Sequence, residues 1–213
     1  MKKYILFLAA VLTLMACSST NKTKSNKGWI SLFDGKTLDG WQASDKPGTF
    51  SVEGGSIKVA GPTSHLFYEG PVMNHDFTNF EFKALVMTRP GSNSGVYFHT
   101  EYQQISFPDK GFEVQVNNSH TDWKRTAGLY DIKDTREVYV KDNVWFTLYI
   151  KVQGKHVITK INNTVVTDWT QPEGFVPPED HPGRIISSGT FALQGHDPKS
   201  VIFFKDIMVK PLP

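Results

Sequence analysis

The chain has 213 residues, of which 39% are hydrophobic, 13% are aromatic and 21% are charged, a balance that excludes collagen, a coiled coil and a wholly disordered chain. The formal net charge is +2, and it falls to zero when residues 1–16, which hold two lysines and no acid, are left out. A neutral domain has no electrostatic attraction for nucleic acid, so that class of partner is excluded. The single cysteine excludes a disulfide framework and a thiolate zinc site.

The N-terminal residues have the features of a signal for export. Lys2 and Lys3 precede an apolar run over residues 4–15, which is too short to span a bilayer comfortably, and a small residue follows. The sequence LMAC at 14–17 resembles the lipobox of bacterial lipoproteins, in which the cysteine is lipidated and becomes the first residue of the mature chain. An ordinary signal peptide with a chance cysteine is the alternative. The lipobox explains why the only cysteine stands at position 17, so we expect lipidation of Cys17 and attachment to a membrane.

A polar segment follows the cysteine and lacks any apolar anchor. Residues 18–28 read SSTNKTKSNKG, a composition typical of a flexible tether. No aspartate follows Cys17, and in the lipoprotein pattern such an aspartate would favour retention in the inner membrane. We therefore expect an outer-membrane anchor, with the domain facing the periplasm or the cell surface. The predicted organisation is a signal peptide over 1–16, a lipidated cysteine and tether over 17–28, and a folded domain over 29–213.

From Trp29 onward, apolar residues alternate in short runs that predict β-strands, and no stretch shows a helical period. Turn residues separate the runs, and the pair at 162–163, Asn-Asn, predicts a hairpin. The segment 170–189 holds four prolines and is a long loop, which borders a site on some sandwiches and merely crosses an edge on others. We expect one all-β antiparallel sandwich of about eleven or more strands. The predicted strands are 49–53, 56–60, 80–88, 94–100, 111–117, 127–131, 145–152, 156–161, 164–168, 190–195 and 201–209.

Three of the predicted strands carry one apolar face and one polar face. Simple exposure of an antiparallel sheet to solvent is one explanation for the polar faces. Amides together with histidine and tyrosine are, however, typical of sugar recognition, because they hydrogen-bond to neighbouring hydroxyls and offer apolar platforms. We therefore expect a carbohydrate-binding face. Its residues are Asn93, Tyr97 and His99 in the first strand, Glu113, Gln115 and Asn117 in the second, and Gln194 and His196 in the third.

This polar face contains one carboxylate, that of Glu113. Retaining glucanases on sandwich folds place two carboxylates on alternate residues of one strand, and double displacement needs the two about 5 Å apart. Here the alternate positions hold Gln115 and Asn117 instead. A carboxylate partner from a loop stays open, the candidates being Glu101, Asp109, Asp122 and Asp131. Ordinary retaining hydrolysis is nevertheless disfavoured, and the face suits chemistry that needs one base.

The opening of the domain, GWISLFDGKTLDGWQ at 28–42, resembles the signature of the 3-keto-disaccharide hydrolase domain family. Further similar segments follow in the family's order, so the resemblance covers nearly all of residues 28–213. They are FEFKALVMTRPGSNSGVYFH, GFEVQVNNSH, TAGLYD, WFTLYIKVQGKHVITKINNTVV and GTFALQGHDPKSVIFFKDIMVKPL. The resemblance implies a concanavalin A-like jelly-roll β-sandwich in a secreted or lipid-anchored bacterial protein. The implied substrates are glycosides already oxidised to a ketone at C3, cleaved hydrolytically or by elimination.

The implied chemistry needs a single base. A C3 ketone acidifies the C2 proton, because the resulting carbanion is delocalised as an enolate. A base removes that proton, the enolate expels the C1 aglycone, and water can then add to the product. The protein must supply a base with a pKa near neutral, a group that stabilises the enolate oxygen and an acid for the leaving oxygen.

Three side chains are candidates for catalysis. Glu113 is the first candidate for the base, the alternative being a carboxylate that only binds sugar hydroxyls. His99 has an ordinary pKa near 6.5 that suits acid–base work, the alternative being a structural histidine bonded to a loop carbonyl. His196 is a candidate acid or metal ligand, or else it caps the end of a strand. The sequence leaves open a divalent metal ion held by His, Glu and Asp on the polar face, with no defined ligand set.

Seven side chains are candidates for substrate binding. Lys205 could polarise the ketone, although its apolar neighbours favour a lysine that extends from the core edge to solvent. Family members often carry arginine near this position and at that of His99, so the chain departs from the family there. Trp123 is a candidate stacking platform in a polar loop. The full set is Asn93, Tyr97, Gln115, Asn117, Trp123, Gln194 and Lys205. Two functions without catalysis stay open: a lectin-like binding module and a structural surface lipoprotein.

Overall fold

The computed structural model describes residues 27–213, so the predictions for the signal peptide, Cys17 and residues 18–26 lie outside the described residues. Within 27–213 no helix is both long and apolar enough to cross a bilayer. Two short 3-10 segments, Pro47–Thr49 and Val72–His75, are the helical parts of this region. The strands are β1 (Ile30–Ser31), β2 (Trp41–Ala43), β3 (Phe50–Glu53), β4 (Ser56–Ala60), β5 (Ser64–Tyr68), β6 (Phe80–Thr88), β7 (Ser94–Thr100), β8 (Phe112–Val116), β9 (Phe146–Gln153), β10 (His156–Ile161), β11 (Thr164–Thr170), β12 (Thr190–Gly195) and β13 (Val201–Pro211).

The strands form two antiparallel sheets that pack face to face. One sheet has eight strands in the order β11-β10-β9-β6-β13-β4-β3, with β1 paired to β13. The other has five strands in the order β2-β5-β12-β7-β8. The chain crosses repeatedly between the sheets, while β3–β4 and β9–β11 stay in the larger sheet and β7–β8 in the smaller one, and the all-β sandwich predicted from the alternating sequence is confirmed.

Aromatic side chains from both sheets fill the space between them. Phe82 of β6 lies with its ring centroid 4.8 Å from that of Phe191 in β12. Within the five-stranded sheet, Phe98 and Phe112 stack at 5.3 Å. Each of these rings is fully buried, and burying one such side chain contributes about 1.5–3 kcal/mol. This packing holds β7, β8 and β12 against the rigid larger sheet, with their other face turned outward.

Ten of the eleven predicted strands are observed, with small shifts at their ends, while the sequence does not predict β1, β2 and β5. The sequence of β5, SHLFY, shows no alternation of polar and apolar residues, and all five of its residues are buried. The segment 127–131 was predicted as a strand, but it pairs with β8 only through an isolated bridge between Val114 and Leu129. The turn at 162–163 joins β10 to β11 as predicted.

Three long connections cover the outer face of the five-stranded sheet. They are loop 101–111 between β7 and β8, loop 117–145 between β8 and β9, and loop 171–189 between β11 and β12. Backbone hydrogen bonds tie them to the sheet and to one another, for example from Gly111 N–H to the Gly183 carbonyl at 3.1 Å. The polar face of β7, β8 and β12 is therefore enclosed.

Candidate active site

A cavity of about 250 Å³ lies between the outer face of the five-stranded sheet and its three loops. We call it the Glu113 cavity. The polar strand residues at its floor are buried: Glu113 is 5% exposed and Gln115 and Gln194 are 1% exposed each. Plain exposure to solvent therefore does not explain the polar face. The lining residues are Asn93, Tyr97, Phe107, Pro108, Glu113, Gln115, Asp122, Tyr130, His181, Arg184, Gln194 and His196.

A larger cavity of about 450 Å³ lies on the outer face of the eight-stranded sheet, against residues 31–35. Its lining includes the charged side chains of Asp34, Lys83 and Asp206, none of which is buried. Solvated charges of this kind are typical of an ordinary surface depression. The Glu113 cavity, with its buried polar floor, is the better candidate for chemistry.

Glu113 is held by hydrogen bonds to both of its carboxylate oxygens. Tyr97 lies directly opposite on β7, and its hydroxyl donates to Glu113 Oε2 at 2.8 Å. The side-chain amide of Gln194 donates to Oε1 at 3.0 Å. Burial raises the pKa of Glu113, and the Tyr97 hydroxyl, the charge of Arg184 and the Gln194 amide only partly oppose it. The result is a fixed carboxylate of increased basicity.

Gly95 provides the space in which the Glu113 side chain lies. The residue is opposite Gln115 in the β7–β8 pairing, two positions before Tyr97. A Cβ atom built at Gly95 would overlap the Glu113 carboxylate. The glycine of the NSG sequence therefore has a steric role, because only a residue without a side chain lets the carboxylate lie across β7.

Two buried amide oxygens in the cavity are without hydrogen-bond partners in the described part of the chain. Gln115 Nε2 donates to Asn93 Oδ1 at 2.5 Å, which fixes the Gln115 amide but leaves its Oε1 free. Gln194 Oε1 is likewise buried and without a partner among residues 27–213. An unpaired buried acceptor costs free energy, so both positions suit a ligand that brings hydroxyl donors.

His196 reaches the same cavity from the end of β12 and is oriented by a carboxylate. Its Nδ1 lies 2.9 Å from Asp197 Oδ2, and the Ser200 hydroxyl donates to the same oxygen at 2.7 Å. Despite partial burial, these hydrogen bonds lower the pKa of Asp197 to about 2, so this carboxylate stays ionised. An ionised carboxylate can only accept, hence Nδ1 of His196 carries the proton and Nε2 is the nitrogen left for a ligand.

Arg184 is the main residue of the cavity that the sequence interpretation missed. It is 4% exposed, and its guanidinium donates to the Tyr130 carbonyl and stacks 4.9 Å from the Tyr130 ring centroid. It lines the same cavity as Glu113, and its charge acts to lower the pKa of that carboxyl. It is the single arginine of the proline-rich segment 170–189, which the sequence predicts to be a long loop.

Asp122 brings a second carboxylate to the lining of the cavity, from loop 117–145. It is one of the four loop acids that the sequence had left open as partners of Glu113. Its Oδ1 accepts from the Lys124 backbone N–H at 3.1 Å, which holds it in a local turn. The charges that act most on the Glu113 pKa are those of Arg184 and His196. Asp122 is not among the main influences on the Glu113 pKa.

The prediction that His99 shares a face with Tyr97 is wrong. His99 has a φ of 55°, and the pairing of β7 with β12 shifts register at this point, so the side chain turns away from the cavity. Its ring packs against Phe80, with Nε2 2.9 Å from the Thr78 carbonyl and Nδ1 accepting from Ser187 N–H at 3.3 Å. Burial lowers its pKa to about 4. His99 is a neutral structural histidine.

Two predicted substrate-binding residues are placed elsewhere. The Asn117 side chain is used within loop 117–145, where Nδ2 donates to two backbone carbonyls and Oδ1 accepts from His120 N–H at 2.8 Å. Asn117 therefore organises the loop and does not line the cavity. Lys205 lies in β13 of the other sheet, with Nζ 4.1 Å from the Trp145 ring centroid. Neither residue lines the Glu113 cavity, so the prediction that Asn117 and Lys205 contact substrate is wrong.

Trp123 lies beside the cavity and outside its lining. The side chain is 41% exposed, and the Arg136 guanidinium stacks on its ring at 3.9 Å. One face of the predicted platform is thus already covered. The phenylalanine and tyrosine side chains that do line the cavity from loops are Phe107 and Tyr130. Within the described residues, no three His, Cys, Asp or Glu side chains form a group that could hold a metal ion.

Comparisons with known proteins agree with this architecture. A candidate glycosyl hydrolase from Parabacteroides distasonis superposes with a TM-score of 0.75 at 21% identity, over 88% of this chain and 95% of that one. A carbohydrate-binding module from Bacillus subtilis gives a TM-score of 0.57 at 12% identity, over 80% and 95%. At these identities the likeness shows the fold, and the predicted concanavalin A-like jelly roll is confirmed.

Sequence comparison is more specific. A 3-keto-disaccharide hydrolase from Bacteroides thetaiotaomicron is 29% identical over 133 residues, a match that spans 49% of this chain and 45% of that protein. The family described as the 3-keto-alpha-glucoside-1,2-lyase-like domain matches residues 28–210. This match covers all of the sandwich except the last residue of β13, and it includes every residue of the Glu113 cavity. The chain belongs to the 3-keto-alpha-glucoside-1,2-lyase-like domain family.

Proposed function

We propose that this protein cleaves 3-keto-glycosides, with Glu113 as the base that removes the proton at C2. The observation that carries the proposal is a buried carboxylate with a raised pKa, fixed on both oxygens, in a cavity that also holds a cation and an oriented histidine. The family and the relative from Bacteroides thetaiotaomicron support the substrate class.

Glu113 has the properties of a general base. An ionised carboxylate has about four sites for hydrogen-bond donors, and Tyr97 and Gln194 occupy one on each oxygen. Lone pairs therefore remain on Glu113 to accept the C2 proton. The raised pKa brings the base closer to neutral pH, where proton transfer is most effective. Tyr97 and Gln194 act as positioning residues in this scheme.

Arg184 is the group that would stabilise the enolate. Removal of the C2 proton puts negative charge on the C3 oxygen, and a fixed cation in a cavity with little water stabilises such charge strongly. One guanidinium nitrogen already donates to the Tyr130 carbonyl, which fixes the side chain. The same nitrogen lies 3.9 Å from Asp131 Oδ2, and the remaining N–H groups of the five that arginine carries can donate to the developing oxyanion.

His196 is the candidate acid for the leaving oxygen. With Nδ1 held by Asp197, the protonated ring presents Nε2–H, which can donate a proton as the C1–O bond breaks. The electron pair of the C2–H bond then forms the C1–C2 double bond, and the aglycone leaves as an alcohol. Addition of water to this product would give net hydrolysis. Neither an oxocarbenium ion nor a covalent glycosyl intermediate is needed.

The test is to follow aglycone release from a 3-keto-glucoside and from the unoxidised glucoside. We expect release only from the ketone, because the C2 proton of the ordinary sugar is far too weakly acidic for Glu113. In heavy water, recovered substrate should carry deuterium at C2 where proton loss is reversible, or a C2-deuterated substrate should react more slowly where proton loss limits the rate. Equal cleavage of both glucosides would overturn the proposal, and tight binding without release would favour the lectin-like alternative.

We further propose that the protein is anchored to the outer membrane through lipid on Cys17. The support is the sequence at 14–17 and the polar tether up to residue 28, which would separate the cavity from the bilayer. In the native host we expect the protein in the membrane fraction. The Cys17→Ser variant should be released to the soluble fraction or stay uncleaved, and a wild-type protein found wholly in the soluble periplasm would contradict the proposal.

A further inference from the structure

A second histidine, His181, lines the Glu113 cavity and has no part in the cleavage proposed above. It lies in loop 171–189, three residues before Arg184, whose backbone N–H donates to the His181 carbonyl at 3.1 Å. Gly183, between the two, approaches Asp109 so closely that a Cβ atom there would overlap the Asp109 carbonyl oxygen. The turn is thus fixed against the neighbouring loop, and it places His181 and Arg184 at the same cavity.

A carboxylate orients the His181 ring. Its Nε2 lies 3.2 Å from Asp131 Oδ2, and Arg184 Nη1 lies 3.9 Å from the same oxygen. Lys124 donates to the other oxygen of Asp131. A carboxylate that is paired with cations can only accept, so Nε2 of His181 carries the proton and Nδ1 holds the lone pair that is left for a ligand.

The His181 ring is neutral at neutral pH and open to water. Burial lowers its pKa, the charge of Arg184 lowers it further, and Asp131 only partly opposes these effects. The side chain is 33% exposed, so water from the solvent reaches it. A neutral, oriented imidazole in contact with water has the properties of a base that takes a proton from a water molecule.

Elimination leaves the cavity prepared for a second reaction. Glu113 then holds the C2 proton, and the sugar has a C1–C2 double bond conjugated with the C3 ketone. Conjugation makes C1 electrophilic, so water adds there when a base takes one of its protons. The enolate that forms is the one that Arg184 stabilises during cleavage, and Glu113 can return its proton to C2. The remaining requirement is a base that activates water.

His196 and His181 suit different ends of the reaction. In the proposed cleavage the leaving oxygen lies at Nε2 of His196, so a water molecule cannot occupy that position until the aglycone has left. His181 approaches the cavity from loop 171–189, whereas His196 follows the end of β12. A water molecule on His181 can therefore be in place while the aglycone is still bound.

We infer that His181 is the base that adds water to C1 of the elimination product, so that the protein completes hydrolysis. This inference rests on the proposed function for its substrate. Nδ1 takes one proton from water while the oxygen forms the C1–O bond. The electron pair of the C1–C2 double bond moves into the enolate beside Arg184, and Glu113 returns its proton to C2. A proton that passes through water from His181 to His196 restores the resting protein.

The experiment supplies the elimination product directly, as the 2-hydroxyglucal that carries the C3 ketone, and follows its hydration by NMR. The wild type should accelerate hydration, and His181→Ala should lower this rate by roughly 10²–10⁴-fold, the usual contribution of a general base. With a 3-keto-glucoside as substrate, the same variant should accumulate the keto-glucal in place of the hydrated sugar, and Asp131→Asn should do so to a smaller extent.

Two further measurements separate this role from a structural one. Added imidazole should restore part of the hydration in His181→Ala, which loss of structure alone does not predict. His156→Ala is the matched control, because His156 lies 2.7 Å from Asp168 in the same kind of pair on the other sheet. This variant should hydrate the keto-glucal at the wild-type rate.

The outcomes bear separately on hydration and on cleavage. A wild type that cleaves 3-keto-glucosides but does not hydrate the keto-glucal overturns the inference and leaves the proposed cleavage intact. Hydration that is lost in His181→Ala supports the inference even if no glycoside is cleaved. Hydration that falls in His196→Ala and not in His181→Ala assigns the water to His196 and overturns it. If His181→Ala does not fold, His181→Gln takes its place, and a Gln variant that hydrates at the wild-type rate overturns the inference.

Discussion

The two sheets each carry a tyrosine–glutamate pair on the outer face, and the two pairs have opposite electrostatics. In the eight-stranded sheet the Tyr149 hydroxyl donates to Glu81 at 3.1 Å, and in the five-stranded sheet the Tyr97 hydroxyl donates to Glu113 at 2.8 Å. Burial acts to raise the pKa of Glu81, but Lys210 at 3.0 Å and the tyrosine outweigh it, so the pKa of Glu81 is lowered.

For Glu113, burial prevails and the pKa is raised. Loops enclose this carboxylate and remove most of the water, while its cation, Arg184, acts through charge with no direct salt bridge to Glu113 within the described residues. The same two side chains thus form a surface ion-pair network in one sheet and a potential base in the other. The covering loops, rather than the residue types in the strand, therefore determine which glutamate can act as a base.

Substituting each glutamate by glutamine should give the largest difference in turnover between the two sheets. Glu113→Gln should lower the turnover of a 3-keto-glycoside by roughly 10²–10⁴-fold, the usual contribution of a general base. Glu81→Gln, the matched control on the other sheet, should leave turnover within about twofold of the wild type. Aglycone release under saturating substrate measures both. Near-wild-type turnover of Glu113→Gln would remove this residue from the mechanism.

The next largest effect concerns the position of the carboxylate. Gly95→Ala introduces a Cβ that overlaps Glu113, so the carboxylate must shift, and a displacement of about 1 Å in a reacting group can cost about 10²-fold in rate. Gly48→Ala is the control, because a Cβ there meets no atom within 4 Å. We expect reduced turnover only in Gly95→Ala, measured beside far-UV circular dichroism to show that both variants fold. Unchanged turnover would show that the geometry of Glu113 is not critical.

The fold could be predicted from the sequence because alternation reports which face of a strand is buried. Alternation of polar and apolar residues gives no prediction for one strand and a wrong one for one side chain. β5 reads SHLFY, without alternation of polar and apolar residues, so neither the strand nor His65 is predicted, and at His99 a left-handed residue in β7 reverses the face that strict alternation predicts. Arg184 and Phe107 come from loops, whose positions follow from turns and tertiary contacts rather than from periodicity.

The candidate site was therefore predictable only in its strand residues. Glu113, Tyr97, Gln115 and Gln194 lie on three neighbouring strands, and period-two alternation is enough to place them on one face. The groups that enclose this face and set its electrostatics come from loops, and Arg184 lies 71 residues after Glu113 along the chain. No pattern within the strands indicates which loop folds over them.

The pH dependence of catalysis distinguishes the two tyrosines. A base works only when ionised, so kcat/KM should fall on the acid side as pH drops through the raised pKa of Glu113. The Tyr97 hydroxyl favours the ionised form, hence Tyr97→Phe should raise the pKa of Glu113 further and move this acid limb to higher pH. Tyr149→Phe should leave the limb in place. A limb that does not move in Tyr97→Phe would show that another group controls it.

The smallest expected effect is on stability, and its sign differs between the two glutamates. The pKa of Glu113 is raised from 4.5 on folding, so between 4.5 and the folded pKa the folded state retains a proton that the unfolded state releases. The wild type loses stability as pH rises through this window, by about 1.4 kcal/mol for each unit between the two pKa values. Glutamine has no charge to bury, so Glu113→Gln should gain stability relative to the wild type between pH 4 and pH 8.

Glu81→Gln should show the opposite trend. The lowered pKa of Glu81 stabilises the folded state above pH 4.5, and this contribution is lost as pH falls through the folded pKa. The variant should therefore be less stable than the wild type at pH 8, by about 0–1 kcal/mol for a partly exposed ion pair. Urea unfolding at pH 4 and pH 8 measures both differences. The buried histidines His65 and His99 also destabilise the folded state in acid, because their pKa values of about 3 and about 4 lie below 6.5. This effect is the same in the wild type and in both variants, so it cancels from the stability differences. If Glu113→Gln loses stability at pH 8 as Glu81→Gln does, then Glu113 is an ion-pair residue like Glu81, and the contrast between the sheets does not hold.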